Sequence, residues 1–333
     1  MGDLTTSIIV PTYNRRSRLQ RLLMRLDELH AGGHDFEVLV ADDGSTDGTG
    51  EMLRGLHVGY SLRLLPAEHA GPCAARNRAM QAASGELLLF LDDDVWPCAG
   101  LIERHLELHR RDPWAAAIGP MVPPRDLRLA PWLRWEAAML QRQYELFASD
   151  YAAPTQLHFY TGNASLRRAH ALAAGGFDER FTRQEDVEFA YRLLAHGVRF
   201  YFLPDAKAEH EPDRTLDGWL HMAYQYGRAA VLMQRKGHPY GRAIAYLETH
   251  SRHPLNRLPP HWCVGHPARS RVVMTIFRAA LRYRGPAQDR LHRAACSVVY
   301  NVQYWQGFAD ETGLGTKLWD ELATQWRALA QSA

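Results

Sequence analysis

The sequence predicts an α/β fold: a Rossmann-like, mostly parallel sheet flanked by helices, followed by a mainly helical C-terminal extension. Three observations predict it. Short β-rich runs alternate with helical runs over the first 120 residues, the pattern of βαβ units. The run 86–91 (ELLLFL) is almost wholly apolar, as a strand covered on both faces must be. After about Pro212 the alternation stops and only helical periodicity continues.

Taken in order, 7–11 (SIIVP) is a strand ending on proline. Leucines at 19, 22, 23, 26 and 29 make 15–29 a helix. A second strand is expected over 36–41, and a short helix over 46–54 with Ser45 or Thr46 as its cap. The third strand is 62–65, a small-residue helix covers 71–83, and the fourth strand is 86–91. A helix over 101–111 and a strand over 115–118 follow. The middle is less regular: an aromatic helix over 127–147, strand and turn over 158–166, a helix over 185–194, and a strand over 199–203. Helices are then expected over 216–234, 269–283, 287–306 and 316–329, interrupted by a Pro-, His- and Trp-rich loop over 253–267.

With 333 residues, 46% hydrophobic and 23% charged, the chain is an ordinary globular protein of one large or two average domains. Disordered, collagen-like and disulfide-scaffold classes are excluded. No uninterrupted apolar run exceeds five residues, far from the roughly 18 needed to cross a bilayer. The N-terminus carries Asp3 where a secretion signal needs a basic residue. A cytoplasmic location is expected, peripheral to the inner face of a membrane at most. The four cysteines form no C-x-x-C pair, so reduced thiols are expected. The net charge of +2 is unevenly placed: residues 219–333 hold 15 Lys/Arg against 6 Asp/Glu, and residues 1–218 hold 24 against 31. Arginine dominates the basic side and suits carboxylates, phosphates or anionic head groups. A GC-rich genome has the same effect on composition.

The strongest local signal is LLLFLDDDV, in which Asp92, Asp93 and Asp94 directly follow the buried strand. Three carboxylates there repel one another unless a cation is present, and a hard divalent ion with oxygen ligands removes the conflict. The bland reading is an acidic turn capping the next helix. Strand-end Asp-x-Asp also occurs in haloacid-dehalogenase phosphatases, but Trp96 stands where a Thr or Val belongs and the motif is not on the first strand. In VADDGSTDGT, Asp42 and Asp43 close the second strand; either can accept hydrogen bonds from a base or a ribose, and Asp-Gly-Ser is also plain turn chemistry. Pro11, Tyr13 and Asn14 end the first strand at the same edge. In FTRQEDVEF, Glu185, Asp186 and Glu188 open a helix, where the dipole favours carboxylates in any case.

Together SIIVPTYNR, VADDGSTDGT, AARNRAM, FLDDDV, TGNASLRR, GGFDERF, EDVEFAYRLLAHG and AEHEP, in this order over about residues 5–212, resemble family 2 glycosyltransferases of the GT-A fold. The resemblance implies a nucleotide-sugar-dependent, usually inverting transferase that uses Mn²⁺ or Mg²⁺. It implies a catalytic domain over 1–212, with a nucleotide-binding half to about 120 and an acceptor half over 121–212, and a helical region over 213–333. It places Pro11, Tyr13 and Asn14 in the nucleotide pocket, Asp43 on the nucleobase, and Arg76 near the base or diphosphate. Asp94 matches the metal ligand, with Asp92 or Asp93 towards the ribose; His210 matches a histidine that also binds the metal in some relatives. Asp186 matches the general base, with Glu185 as its fallback. Gly162 and Asn163 fall at the acceptor side of the donor sugar. The implied partners are a nucleotide-sugar, a UDP-sugar first, and a glycan, lipid-linked or small-molecule acceptor; no nucleic acid is expected.

Beyond residue 212 the resemblance is uninformative. Residues 269–293 carry seven arginines interleaved with Val272, Val273, Ile276, Phe277 and Leu281. Three readings stand: peripheral contact with an anionic membrane, a basic acceptor groove, or a helical cap with wet arginines. Two rivals to the transferase also stand. One is a sugar nucleotidyltransferase, although its usual Gly-rich loop with a nearby Lys is missing from PTYNRR. The other is a non-catalytic sugar- or nucleotide-binding protein on the same fold.

Overall fold

The computed structural model describes residues 4–149, 153–238 and 254–331. The chain forms two compact units, Met1–Leu127 with Met139–Pro212, and Arg128–Ala138 with Asp213–Ala333. Residues 128–138, expected within the acceptor half, therefore belong to the second unit.

The first unit is built on a seven-stranded sheet in the order β3-β2-β1-β4-β8-β6-β9. Its strands are β1 (Thr6–Thr12), β2 (Glu37–Asp42), β3 (Ser61–Pro66), β4 (Leu87–Leu91), β6 (Ala115–Ile118), β8 (Asn163–Arg167) and β9 (Arg199–Phe202). The pairs β1–β2, β2–β3, β1–β4 and β6–β9 are parallel; β8 runs antiparallel to β4 and β6. Side chains alternate along each strand. Ile9, Leu39 and Phe90 face one layer, formed with α3 (Pro72–Ala82), α6 (Arg168–Ala173) and α7 (Glu185–Ala195). Ile8, Val38 and Leu89 face the other, with α1 (Arg16–Ala31), α2 (Thr49–Gly55) and α4 (Leu101–Arg111). Burial on both faces is why these strands read as continuous apolar runs.

A second, small sheet has the order β5-β10-β7, from Val95–Pro97, Ala208–His210 and Met121–Val122. Strands of two or three residues have no periodicity to read, and the sequence does not show them. Pairing of His210 with Val95 brings His210 to the segment that follows the aspartates.

Three expectations need correction. The helix α2 begins at Thr49 and its cap is Gly48, at φ 84°, instead of Ser45 or Thr46. Asp47 takes that role in part: it accepts from the Thr49 N–H at 3.1 Å and from the Arg16 N–H at 3.0 Å. The strand and turn expected over 158–166 are present as a turn at 161–162 and β8, but their start is shifted, because His158 closes a 3₁₀ turn, Gln156–His158. The expected loop 253–267 is largely helix, Pro254–Cys263; His253 lies outside the described residues. Pro259 and Pro260 remove two donors, but their fixed φ is helical, and the helix persists around them.

The second unit is helical. After the start of α5 (Pro131–Ala148) it holds α8 (Leu216–Arg235), α9 (Pro254–Cys263), α10 (Pro267–Arg282), α11 (Gln288–Thr312) and α12 (Leu318–Gln331). The backbones of α8 and α11 touch at two glycines. A Cβ on Gly227 would meet the Tyr304 carbonyl at 1.8 Å, and one on Gly307 would meet the Tyr224 carbonyl at 2.0 Å. Trp135, Trp219 and Tyr300 pack against one another edge-on and tilted, with ring centroids 5.3–5.6 Å apart. Among the described residues no helix is long and apolar enough to cross a membrane.

Candidate active site

The parallel strands β1, β2 and β4 end at one edge of the sheet, where an open α/β fold binds its ligands. Asp92, Asp93 and Asp94 leave β4 there. Asp93 is buried and accepts from the Thr12 hydroxyl at 2.8 Å. Burial pushes its carboxyl up to about 7, against the pull of Arg15 and Thr12. Asp94 receives Arg15 Nη1 at 2.6 Å and lies 3.5 Å from Arg18 Nη1, both on its Oδ2. Asp92 is the more open of the three and receives Arg76 Nη2 at 2.8 Å. Gly162 packs closely against this edge: a Cβ would meet Met121 Sδ at 2.6 Å and Asp92 Oδ2 at 3.2 Å, so a larger residue would have to displace those side chains.

At the end of β2, Asp43 is buried, and its two oxygens accept from the N–H groups of Ala70 and Gly71 at 2.9 Å each. His69 Nδ1 lies 2.8 Å from its Oδ2. The ring of His69 stacks on exposed Tyr13, with centroids 4.3 Å apart. Asn14, at φ 53°, ties two loops together: its Oδ1 accepts from the Thr46 N–H at 2.8 Å and its own N–H donates to Ser45 Oγ at 2.9 Å. Pro11 pairs with Ala41 near the end of β1, beyond Ile9, the last residue laddered to β4. Its missing N–H therefore breaks no ladder bond.

Across the edge, α7 opens with Glu185 and Asp186 behind Gln184, which is held at φ 60°. Arg76, buried on α3, donates to Glu185 Oε1 at 3.1 Å and to Asp92 Oδ1 at 2.8 Å. One guanidinium thus bridges the acidic strand end and the acidic helix start, the geometry a planar fork permits. Asp186 is shifted upward, first by burial and then by the Glu185 carboxylate beside it.

The donor set suits a divalent cation in part. His210 Nε2 stands 3.7 Å from Asp94 Oδ1, whereas Arg15 Nη1 lies 2.6 Å from Oδ2. An ion about 2.1 Å from each ligand fits that separation. Among the described residues no three His, Cys, Asp or Glu side chains converge on one point. Two protein donors, completed by phosphate oxygens and water, match the habit of Mg²⁺-type sites.

One site expectation is corrected. The Asn163 side chain is fully buried: its Nδ2 donates to the Ala206 carbonyl at 2.8 Å, and its Oδ1 lies 3.2 Å from His105 Nε2. It is a structural tie behind the site and does not face a sugar; β8 turns it inward next to Leu91. Other residues escaped the sequence reading, among them Thr12, Arg15, Arg18 and His69. Arg15 and Arg18 left a signal. Arginines at a helix N-terminus oppose its dipole, and the first turn of α1 has no acid to balance them.

The glycosyl transferase family 2 profile matches residues 7–175. The chain is 33% identical over 223 residues to validoxylamine A glucosyltransferase of Streptomyces hygroscopicus subsp. limoneus, covering 58% of this chain and 48% of that protein. It is 30% identical over 237 residues to the pre-mycofactocin glycosyltransferase of Mycobacterium tuberculosis, covering 70% of this chain and 48% of the relative. The chain spans about half the length of these curated relatives. Among solved structures, mannosyltransferase PcManGT from Pyrobaculum calidifontis, in complex with GDP-Man and Mn²⁺, has a TM-score of 0.63 at 22% identity, covering 91% of this chain and 88% of that one. S. aureus TarS 1–349 in complex with UDP-GlcNAc has a TM-score of 0.55 at 18% identity, covering 93% and 92%. At these identities the likeness is one of fold, the GT-A type.

Proposed function

The chain belongs to glycosyl transferase family 2, and on that premise we propose that it is a metal-dependent, inverting glycosyltransferase. The donor is a nucleoside diphosphate sugar, with UDP-sugars the first to test. The acceptor is a hydroxyl of a glycan, a lipid-linked glycan or a small molecule.

The observation that carries this reading is the Asp92–Arg76–Glu185 bridge. It fixes two acidic groups facing one sheet edge: Asp92 to Asp94 after β4, and Glu185 with Asp186 at the start of α7. Transfer needs two such groups with different tasks. At one, negative charge develops on the departing diphosphate; at the other, a proton leaves the attacking hydroxyl. Arg15 and Arg18 lie on the first side, against Asp94. A divalent cation held by Asp94 and His210 would supply Lewis-acid charge neutralisation there. On the second side Asp186 takes the hydroxyl proton, and its raised proton affinity suits a base. Attack from the face opposite the leaving group inverts the anomeric centre. Tyr13 and His69 offer a stacked aromatic surface for the nucleobase, with Asp43 fixed behind them.

The test is release of free nucleoside diphosphate from UDP- and GDP-sugars in the presence of Mn²⁺ and a panel of acceptors. Release with one nucleotide is expected, lost on chelation and in Asp94→Ala. Release that survives both treatments sinks the metal assignment. No release and no nucleotide binding with any donor favours a sugar-binding protein on the same fold.

A further inference from the structure

Within the second unit, α10 presents three lengthwise faces. Val273 and Leu281 turn inward, into clusters with Val298, Val302 and Val299 of α11. Arg271, Arg278 and Arg282 form a basic line on the solvent side. Beside it Val272, Ile276 and Ala279 form an apolar line that is equally exposed; Ile276 keeps 59% of its surface in contact with solvent. Trp262 of α9 is 48% exposed, with Arg269 over its ring at 5.7 Å. A helix that only caps a core keeps its wet side polar, whereas this one exposes a row of apolar residues beside its arginines.

An open cleft of about 1070 Å³ lies at the C-terminal end of α10. Five arginines line it, at 128, 134, 278, 282 and 284, over an apolar surface that includes Trp132 and Leu281. Arg278 is paired with Asp217, and Arg134 with Asp289 at 3.2 Å. Arg284 donates to the carbonyls of Leu281 and Tyr283. Among the described residues Arg128 and Arg282 have no acidic partner. The cleft thus carries an excess of positive charge beside an exposed apolar line.

We propose that this face of the C-terminal unit binds the surface of an anionic phospholipid bilayer. The head-group phosphate sits in the arginine cleft, where guanidinium forks match phosphate oxygens. Ile276, Val272 and Trp262 enter the interfacial zone. Apolar and cationic residues side by side on one solvent-facing helix are what interfacial binding uses, and residues 219–300 hold 13 basic against 2 acidic residues.

The full chain is floated with vesicles of phosphatidylcholine alone and of phosphatidylcholine with phosphatidylglycerol, at low and high salt, without donor, metal or acceptor. The outcome is therefore independent of whether the chain transfers sugar. Binding is expected only to the anionic vesicles and is expected to weaken with salt. Arg128→Gln and Arg282→Gln should each lower the partition coefficient about fivefold, and Ile276→Asp on the order of tenfold. All three positions are exposed, and circular dichroism checks that each variant is folded. No flotation with anionic vesicles overturns the proposal, as does flotation unchanged in all three variants. Calorimetric binding of inorganic pyrophosphate that the arginine variants abolish, without vesicle binding, overturns it in favour of a soluble phosphorylated ligand.

Discussion

Asp186 sits one residue into α7, with Glu185 beside it and Arg76 held by Glu185 and not by Asp186 itself. That asymmetry leaves one carboxyl paired and the other with a raised proton affinity. A base of this kind contributes about 10²–10⁴-fold. Asp186→Asn should lower kcat by about that factor while leaving the dissociation constant of the nucleotide nearly unchanged; near-normal turnover in the variant moves the role to Glu185. The pH profile follows from the sign of the shift. As the proposed base Asp186 would work deprotonated, so kcat should rise with pH through a limb above the ordinary carboxylate range of about 4. A limb at an ordinary carboxylate pKa excludes Asp186 as the titrating group. At this scale the acids were legible, because carboxylates crowded at strand and helix ends have few structural uses. Their counter-charges were not. The only signal from Arg15 and Arg18 is the missing acid in the first turn of α1, and their partner is not named until β4 places Asp94 beside them.

Between β8 and α4 runs a buried chain of hydrogen bonds that holds the back of the site. Asn163 Oδ1 accepts from His105 Nε2–H, His105 Nδ1 accepts from the Ser165 hydroxyl at 2.7 Å, and Ser165 Oγ accepts from His109 Nε2–H at 2.8 Å. This direction gives every contact one donor, and it requires the His105 ring to be neutral, because its Nδ1 accepts. Burial lowers His105 to about 4; burial, with the charge of His105 next, lowers His109 to about 3. The unfolded chain binds these protons near pH 6.5 and the folded chain only below 4, so stability is complete above about 6.5 and falls as the pH drops. Each ring should cost about 2 kcal/mol between pH 7 and pH 5. Denaturant titrations across that range should show the loss, and His105→Gln/His109→Gln should flatten it; the same slope in the double variant assigns the acid sensitivity elsewhere. The sequence hid this network because His105 and His109 lie four apart on a helix whose other inward residues are apolar. The long elements were legible for the opposite reason. Five-residue β4 and sixteen-residue α1 carry full periods, whereas β5, β7 and β10 act only through the partners they find in the fold.

Across the whole chain, charge separates before function does: residues 1–218 are net acidic and residues 219–333 net basic. The acidic part contains the site, where Asp92, Asp93 and Asp94 are balanced by Arg15, Arg18 and Arg76. A nucleoside diphosphate brings further negative charge to that edge, so a cation and the nucleotide should bind with positive coupling. The prediction is a linked thermal shift. A ligand at 100 times its Kd stabilises the folded state by about 2.7 kcal/mol. For a unit of about 200 residues this raises Tm by about 6 °C. Nucleoside diphosphate with Mn²⁺ should produce a shift of that size, and either component alone much less. His210→Ala should reduce the coupling if His210 shares the ion with Asp94, because His210 Nε2 lies 3.7 Å from Asp94 Oδ1. A shift of equal size with and without Mn²⁺ would mean that the three arginines carry the diphosphate unaided. The pairing of His210 with Asp94 would then serve only to close β10 against the segment after β4.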